Sequence, residues 1–120
     1  MNEIRNPKRY DLEERTFQFA KRCRDFVKKL SRIIANIEDG KQLIRLSGSV
    51  AANYIEANES LSKKDFVMRI KICRKESKES YLWLRLCDIT DKYLIIERED
   101  LMKGSTELMN IFGSIMRKSE

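Results

Sequence analysis

The stretch SKKDFVMRIKICRKESKESYLWLRLCDITD, from Ser62 to Asp91, determines the fold more than any other part of the chain. Its apolar side chains recur every three or four residues, the spacing of an α-helix, and no proline interrupts it. Ser62 and Asp65 form a capping box that marks the start of the helix. The pattern therefore predicts a helix from about Lys63 to Asp91.

This helix is apolar on two faces. One face carries Phe66, Ile70, Cys73, Ser77, Tyr81, Leu84 and Cys87, and the nearly opposite face carries Met68, Ile72, Leu82, Trp83, Leu86 and Ile89. A helix that is apolar all round is usually buried on both sides. In a chain of 120 residues the second side is expected to be covered by another copy of the chain. Phe17, which lies off the apolar stripe of the first helix, is a further predicted contact.

Three more amphipathic segments flank this helix. They are predicted from about Asp11 to Ile34, Ile37 to Ser60, and Glu97 to Arg117, with Asp11 and Asn36 as N-caps of the first two. The inward stripe of the second segment is rich in small residues and continues to Leu61. Short connectors make neighbouring helices antiparallel. The predicted fold is all-α, an antiparallel up-down-up-down four-helix bundle in one domain over residues 1–120, with residues 1–10 as an N-terminal extension.

The composition excludes several classes of function. The chain has no histidine, so it cannot form a Ser-His or Cys-His nucleophile pair. Its four glycines are isolated, so there is no glycine-rich phosphate loop. Three widely spaced cysteines, Cys23, Cys73 and Cys87, fit neither a disulfide framework nor the usual zinc ligand sets, and all three fall on core stripes. We expect no catalytic residues, no metal and no cofactor.

Carboxylate chemistry is the one catalytic alternative. Glu76 and Glu79 lie toward the second apolar stripe of the third helix, and Glu56 lies near the end of the second. We expect these carboxylates to pair with nearby Lys and Arg side chains, because structural ion pairs are the commoner arrangement. A deep pocket joining Glu56, Glu76 and Glu79 would favour catalysis instead.

The location of the chain is predicted from what its sequence lacks. It has no apolar run of about 18 residues, so no transmembrane helix is expected. The first ten residues are polar and do not resemble a signal peptide. The expectation is a cytoplasmic protein with no membrane partner.

Positive charge is concentrated in two segments. The net charge of +6 comes from residues 1–35, with +5, and residues 62–95, with +4, offset by the other two segments. The third helix carries Lys71, Arg74, Lys78 and Arg85 on one face, and the first carries Lys21, Arg24, Lys28 and Arg32. Such rows can follow a phosphate backbone, although solvated helix faces often look the same. These eight side chains are the candidate nucleic-acid-binding residues.

The junction of the second and third helices resembles a known bacterial family. The stretch Ser49-Val50-Ala51-Ala52-Asn53-Tyr54-Ile55-Glu56-Ala57, followed by Ser62-Lys63-Lys64-Asp65-Phe66, is similar to a motif of the 23S rRNA intervening-sequence proteins. Glu79 resembles an acidic position of that family. Ala51 stands where the family often has proline, and Ala57 where it often has glycine. Both changes favour a continuous helix.

The resemblance implies a closed homopentamer of four-helix bundles and no known enzyme activity. Related accessory proteins of diversity-generating retroelements have the same bundle with a basic surface and work with nucleic acid. The leading hypothesis is therefore an oligomeric binding module, not an enzyme, that binds RNA or DNA through its basic helix faces. The alternative is an oligomeric scaffold for a protein partner, with contacts at Phe17, Met68, Ile72, Leu82, Trp83 and Leu86.

Overall fold

Four α-helices form the protein. The computed structural model describes residues 7–120, with side chains from Asp11 onward, and the helices are α1 (Pro7–Lys28), α2 (Ile34–Asn58), α3 (Lys63–Leu86) and α4 (Lys92–Ser119). Each helix packs against the next in the chain, and α4 returns to contact α1. Helices α1 and α3 are therefore diagonal, as are α2 and α4. The predicted all-α, up-down four-helix bundle is confirmed.

The core lies along the axis between the four helices. Its largest fully buried side chains include Phe26, Leu43, Ile70, Leu84, Leu101, Leu108 and Phe112. The rings of Tyr54 and Phe112 pack at a tilt, with their centroids 5.7 Å apart. Small residues in α2 allow close packing: a Cβ added to Gly40 would lie 2.7 Å from Cγ1 of Val27, so α1 and α2 touch there. Most residues of the predicted inward stripes are buried or half-buried, and the exceptions, Ile34 and Leu61, lie at or just beyond helix ends.

The first connector is shifted from its predicted position. Helix α1 begins at Pro7, so Asp11 lies inside the helix and does not cap it, and α1 ends at Lys28 and not at Ile34. Its last turn closes with bonds from the backbone N–H groups of Lys29 and Leu30. Ile34 starts α2 and is 81% exposed. The apolar spacing of Leu30 and Ile34 continues across the connector, which is why the pattern alone did not show the break.

The predicted N-cap of α2, Asn36, has a different role. The actual N-cap position is Ile33, which makes no side-chain cap bond. Asn36 is buried inside α2, and its side chain reaches Asp88, two residues beyond the end of α3. Asn36 Oδ1 accepts from Asp88 N at 2.8 Å, and Asn36 Nδ2 donates to Asp88 O at 3.0 Å and Ser31 O at 3.2 Å. The Asn36 amide therefore links three segments at this end of the bundle: α2, the connector at Ser31 and the connector at Asp88.

At the second and third connectors, the predicted N-cap of α3 is confirmed, whereas the predicted end of α3 and start of α4 are wrong. Ser62 caps α3 as predicted, because Ser62 Oγ accepts from Asp65 N at 3.1 Å. The end of α3 is Leu86 and not Asp91, and α4 begins at Lys92 and not at Glu97. Asp91 is the N-cap of α4, since its Oδ1 accepts from the backbone of residues 93 and 94.

Leu61, predicted to extend the inward stripe of α2, is fully exposed because α2 ends at Asn58.

Among the described helices, none is both long enough and apolar enough to cross a membrane.

Candidate nucleic-acid interface

The basic row of α3 lies beside the groove between α3 and α4. Lys71, Arg74, Lys78 and Arg85 are all exposed, as predicted. The Arg74 side chain reaches across to α4, where a Cβ added to Gly113 would be 3.4 Å from Arg74 Nε. Glycine at this position leaves room for the guanidinium group against the α4 backbone.

This row carries uncompensated positive charge. None of the ion pairs found among residues 11–120 includes Lys71, Arg74, Lys78 or Arg85. The guanidinium of Arg85 instead lies over the ring of Tyr81, 6.0 Å from its centroid. Four cations along one groove without a direct ion-pair partner favour a positive local potential, and such a potential attracts a polyanion.

Helix α4 adds a cation, Arg117, that is not among the eight predicted nucleic-acid-binding residues. Arg117 is exposed, and a Cβ added to Gly113 would lie 3.3 Å from Arg117 Nη1, on the same side as Arg74. The row therefore gains a neighbour from the adjacent helix. In the sequence, Arg117 was only a base near the end of a helix, and no spacing rule links it to a residue 43 positions earlier.

The basic row of α1 is separate from the row of α3. Lys21, Arg24 and Lys28 are exposed, and Lys28 Nζ lies 3.8 Å from Asp25 Oδ1. Arg32 is also exposed, but it lies in the connector and not on the predicted helical face. Since α1 and α3 are diagonal, the two rows do not converge within one chain.

Two other bases of α1, and Lys29 directly after its end, are neutralised by α4. Three ion pairs form a ladder along the seam between these helices: Arg15 with Glu107, Arg22 with Asp100 at 2.6 Å, and Lys29 with Glu97 at 3.0 Å. We call this set the α1/α4 ladder. It distinguishes the α1/α4 seam, where bases are paired, from the α3/α4 groove, where they are free.

Part of the second apolar face of α3 is exposed. Met68, Leu82 and Leu86 are between 45% and 48% exposed, and Phe17 of α1 is 52% exposed. The other two predicted contact residues of α3 are less exposed: Ile72 and Trp83 are half-buried, and Trp83 packs against the core. We call Met68, Leu82 and Leu86 the outer α3 face.

The carboxylates on α2 and α3 make polar contacts between the two helices. Glu76 is buried, and its Oε1 accepts from Asn53 Nδ2 at 3.3 Å. Arg69 donates to Asn53 Oδ1 at 2.9 Å and lies 3.9 Å from Glu56. These contacts match the expected pairing for Glu56, whereas Glu76 bonds to an amide. In the part of the chain described here, no group of three or more His, Cys, Asp or Glu residues could hold a metal ion.

The three cysteines are buried in the core, as predicted. Burial raises the pKa of the Cys23 thiol to about 12, that of Cys73 to about 12 and that of Cys87 to about 11. Cys87 Sγ also donates to Trp83 O at 3.2 Å, which favours the protonated thiol. Buried thiols of this kind are poor nucleophiles because the thiolate is the reactive form.

We expect none of the three thiols to react rapidly with Ellman's reagent at pH 8 in the folded protein. All three should react in 6 M guanidinium. Because burial raises the thiol pKa values above their ordinary value of 9.0, the folded protein loses stability as the pH rises from about 9 toward 12. One rapidly titrating thiol in the native protein would contradict the burial of that cysteine.

The arrangement defines a class: a four-helix bundle with an uncompensated basic groove and an exposed apolar helix face. Its structure matches a crystal structure from Bacteroides thetaiotaomicron, described as a protein with unknown function from the S23 ribosomal protein family. The two are 27% identical, with a TM-score of 0.76, over 92% of this chain and 98% of that one. The match confirms the resemblance at the level of structure: the chain shares the four-helix bundle of a protein from the S23 ribosomal protein (23S rRNA intervening-sequence) family. No protein-family model and no curated protein matches the sequence.

Proposed function

We propose that this protein is a non-enzymatic, oligomeric binding module that binds nucleic acid through the basic row of α3. The observation that supports this is the row of Lys71, Arg74, Lys78 and Arg85, which is exposed beside the α3/α4 groove and makes no ion pair with the described residues 11–120. Cations that are not already paired can neutralise phosphates and release counterions, which is the main source of affinity for nucleic acids.

The bases of the α1/α4 ladder differ from those of the α3 row in having acidic partners. Arg22 and Lys29 have acidic partners that a phosphate would have to displace. Among the side chains that the structure describes, the α3 row has no such competitor, and Arg117 adds a fifth cation nearby. The α3/α4 groove is therefore the better polyanion site, and the α1 row is a secondary contact that only an assembly could bring close to it.

Removing three charges from the row should weaken binding. We expect the triple variant Lys71→Gln, Arg74→Gln, Lys78→Gln to bind a single-stranded RNA at least tenfold more weakly than the unmodified protein at low salt. The slope of log Kobs against log salt should fall by about 2, since each phosphate contact on a single strand contributes about 0.7. Fluorescence anisotropy across a salt series measures both quantities.

The matched control removes the same charge elsewhere. Lys41, Lys92 and Lys103 are exposed and lie outside the α3 row, so their replacement by Gln gives the same net charge. This control should keep the affinity within about threefold, as net charge alone is a long-range and screened effect. Equal losses in the two triple variants would contradict a defined site, and no salt-dependent binding by the unmodified protein would contradict the function itself.

A second candidate function is a scaffold for protein partners. The observation that favours it is the outer α3 face, where three large apolar side chains remain exposed in the single chain. Leu82 and Leu86 lie one helical turn apart, and exposed apolar patches on small proteins commonly mark contact sites. A homo-oligomer, a pentamer by the family resemblance, would cover this face and repeat the α3 row around its surface. The two candidate functions differ in whether nucleic acid or protein then binds the assembly.

A further inference from the structure

A cavity at one end of the bundle is not used by the proposed function. It has a volume of about 610 Å³ and lies where α1 and α3 begin and α2 and α4 end. All four helices line it, and its residues include Leu12, Tyr54, Phe66, Ile111, Ile115 and Lys118. The volume falls within the range of about 300–1,000 Å³ that is typical of small-molecule sites.

The wall of this cavity is mostly apolar. Leu12 and Tyr54 are buried members of the core, while Phe66, Ile111 and Ile115 are half-buried against it. The half-buried side chains leave apolar area that a ligand could cover. Covering such area is favourable because it removes the area from water.

Polar groups occupy the remaining part of the cavity wall. Two cations, Arg15 and Lys118, contribute to the wall, against one carboxylate, Asp11. Arg15 uses one donor for Glu107, and a guanidinium has five N–H donors in total. Lys118 is exposed and takes part in no ion pair found among residues 11–120.

We propose that this cavity binds a small amphipathic anion, an apolar molecule of about ten carbons carrying one carboxylate. The apolar part would lie against Phe66, Ile111 and Ile115, and the carboxylate would pair with Lys118 and the free donors of Arg15. Because Arg15 is paired with Glu107, the preference for an anion rests on hydrogen-bond donors: Lys118 and the N–H groups that Arg15 keeps beyond its bond to Glu107 outnumber the one carboxylate of the wall, Asp11, and suit a head group that accepts hydrogen bonds. The cavity is distinct from the α3 row, so this proposal does not depend on nucleic-acid binding.

Isothermal titration calorimetry with three matched probes tests the proposal on the full chain. We expect saturable binding of decanoate, with binding of 1-decanol and of decylamine at least about threefold weaker, the ratio expected for one exposed ion pair. Equal affinity for decanoate and decylamine would overturn the assignment of an anion. The absence of saturable binding by all three probes would overturn the site.

Two variants locate the site. Ser114 lines the cavity from α4, so Ser114→Trp should fill it and abolish decanoate binding while circular dichroism shows an intact helical fold. Lys118→Gln should raise the Kd for decanoate by about three- to fivefold and leave that for 1-decanol unchanged. The matched control Lys41→Gln, on the exposed surface of α2, should leave the Kd for decanoate unchanged. Unchanged decanoate binding in Lys118→Gln would overturn the role of this cation, even if Ser114→Trp failed to fold.

Discussion

Replacing Asn36 with leucine is expected to lower the free energy of unfolding by roughly 2 to 3 kcal/mol, which is the cost of leaving partly buried hydrogen-bonding groups without partners. Asn36 is 2% exposed, and its amide joins the connector at Ser31 to the end of α3 at Asp88. Leucine has a similar size but can neither accept from Asp88 N nor donate to the two carbonyl groups. Guanidinium denaturation at a fixed protein concentration measures the loss.

The control for this prediction is Asn110, which is exposed on α4. Asn110→Leu should change the free energy of unfolding by no more than about 0.5 kcal/mol, as is usual for surface positions. A second variant, Asn36→Asp, retains the acceptor for Asp88 N but turns a carboxylate toward the carbonyl oxygens, so it should also destabilise the fold. If Asn36→Leu proved as stable as the unmodified protein, the interactions of this amide would not be a source of stability.

The double variant Leu82→Asp, Leu86→Asp should convert the proposed assembly to monomers of 14.3 kDa. The two side chains are 45% and 48% exposed in the single chain, so charges there cost the fold little. In an interface between copies, the same charges would be buried without partners, which costs several kcal/mol for each contact. Light scattering coupled to size-exclusion chromatography measures the mass, and circular dichroism confirms that the helices remain.

The double variant changes two exposed residues and leaves Trp83 unchanged. Trp83 was also predicted to lie at the interface, but it packs against the core, so a charge there would disturb the fold as well as the assembly. Ile34→Asp is the matched control, since Ile34 is 81% exposed at the end of the bundle and lies outside the outer α3 face. A monomeric unmodified protein, or an unchanged mass in the double variant, would exclude the outer α3 face as the interface.

The helices were predictable because their periodicity reflects burial. The same spacing that placed Ile70, Cys73 and Leu84 on one stripe of α3 places them in the core. The start of α3 followed from Ser62, whose side chain acts locally. Continuity of α2 through Ala51 also agrees with the sequence, because alanine is the strongest helix former where proline would kink the helix.

The helix ends were harder to predict because they depend on contacts that are distant in sequence. Asparagine is a favoured N-cap residue, yet the side chain of Asn36 accepts from the backbone N–H of Asp88, 52 residues away and just beyond α3. Asp91 was a local signal that could have been used: it is an Asp directly before a helical pattern, and it caps α4. The start predicted at Glu97 was wrong by five residues, because α4 begins at Lys92, directly after this cap.

The candidate site was predictable in part for the same reason. Residues on one helix, such as Lys71 and Lys78, share a face by spacing alone, and the structure exposes them together. Arg117 and the separation of the α1 and α3 rows depend on how helices pack, which spacing within one helix does not report. Which cations have acidic partners, and which remain free, was likewise visible only in three dimensions.

The α1/α4 ladder selects one alignment of α1 more than it strengthens the bundle. Each exposed pair contributes only about 0.2–1 kcal/mol. Arg15 and Arg22 are seven residues apart, as are Glu107 and Asp100, so the antiparallel helices meet base to acid at matching heights. Sliding α1 by one helical turn would separate these charges and would also break the more extensive packing of α1 against α2. The ladder therefore adds a small preference for one register of α1 along α4, and high salt would weaken that preference.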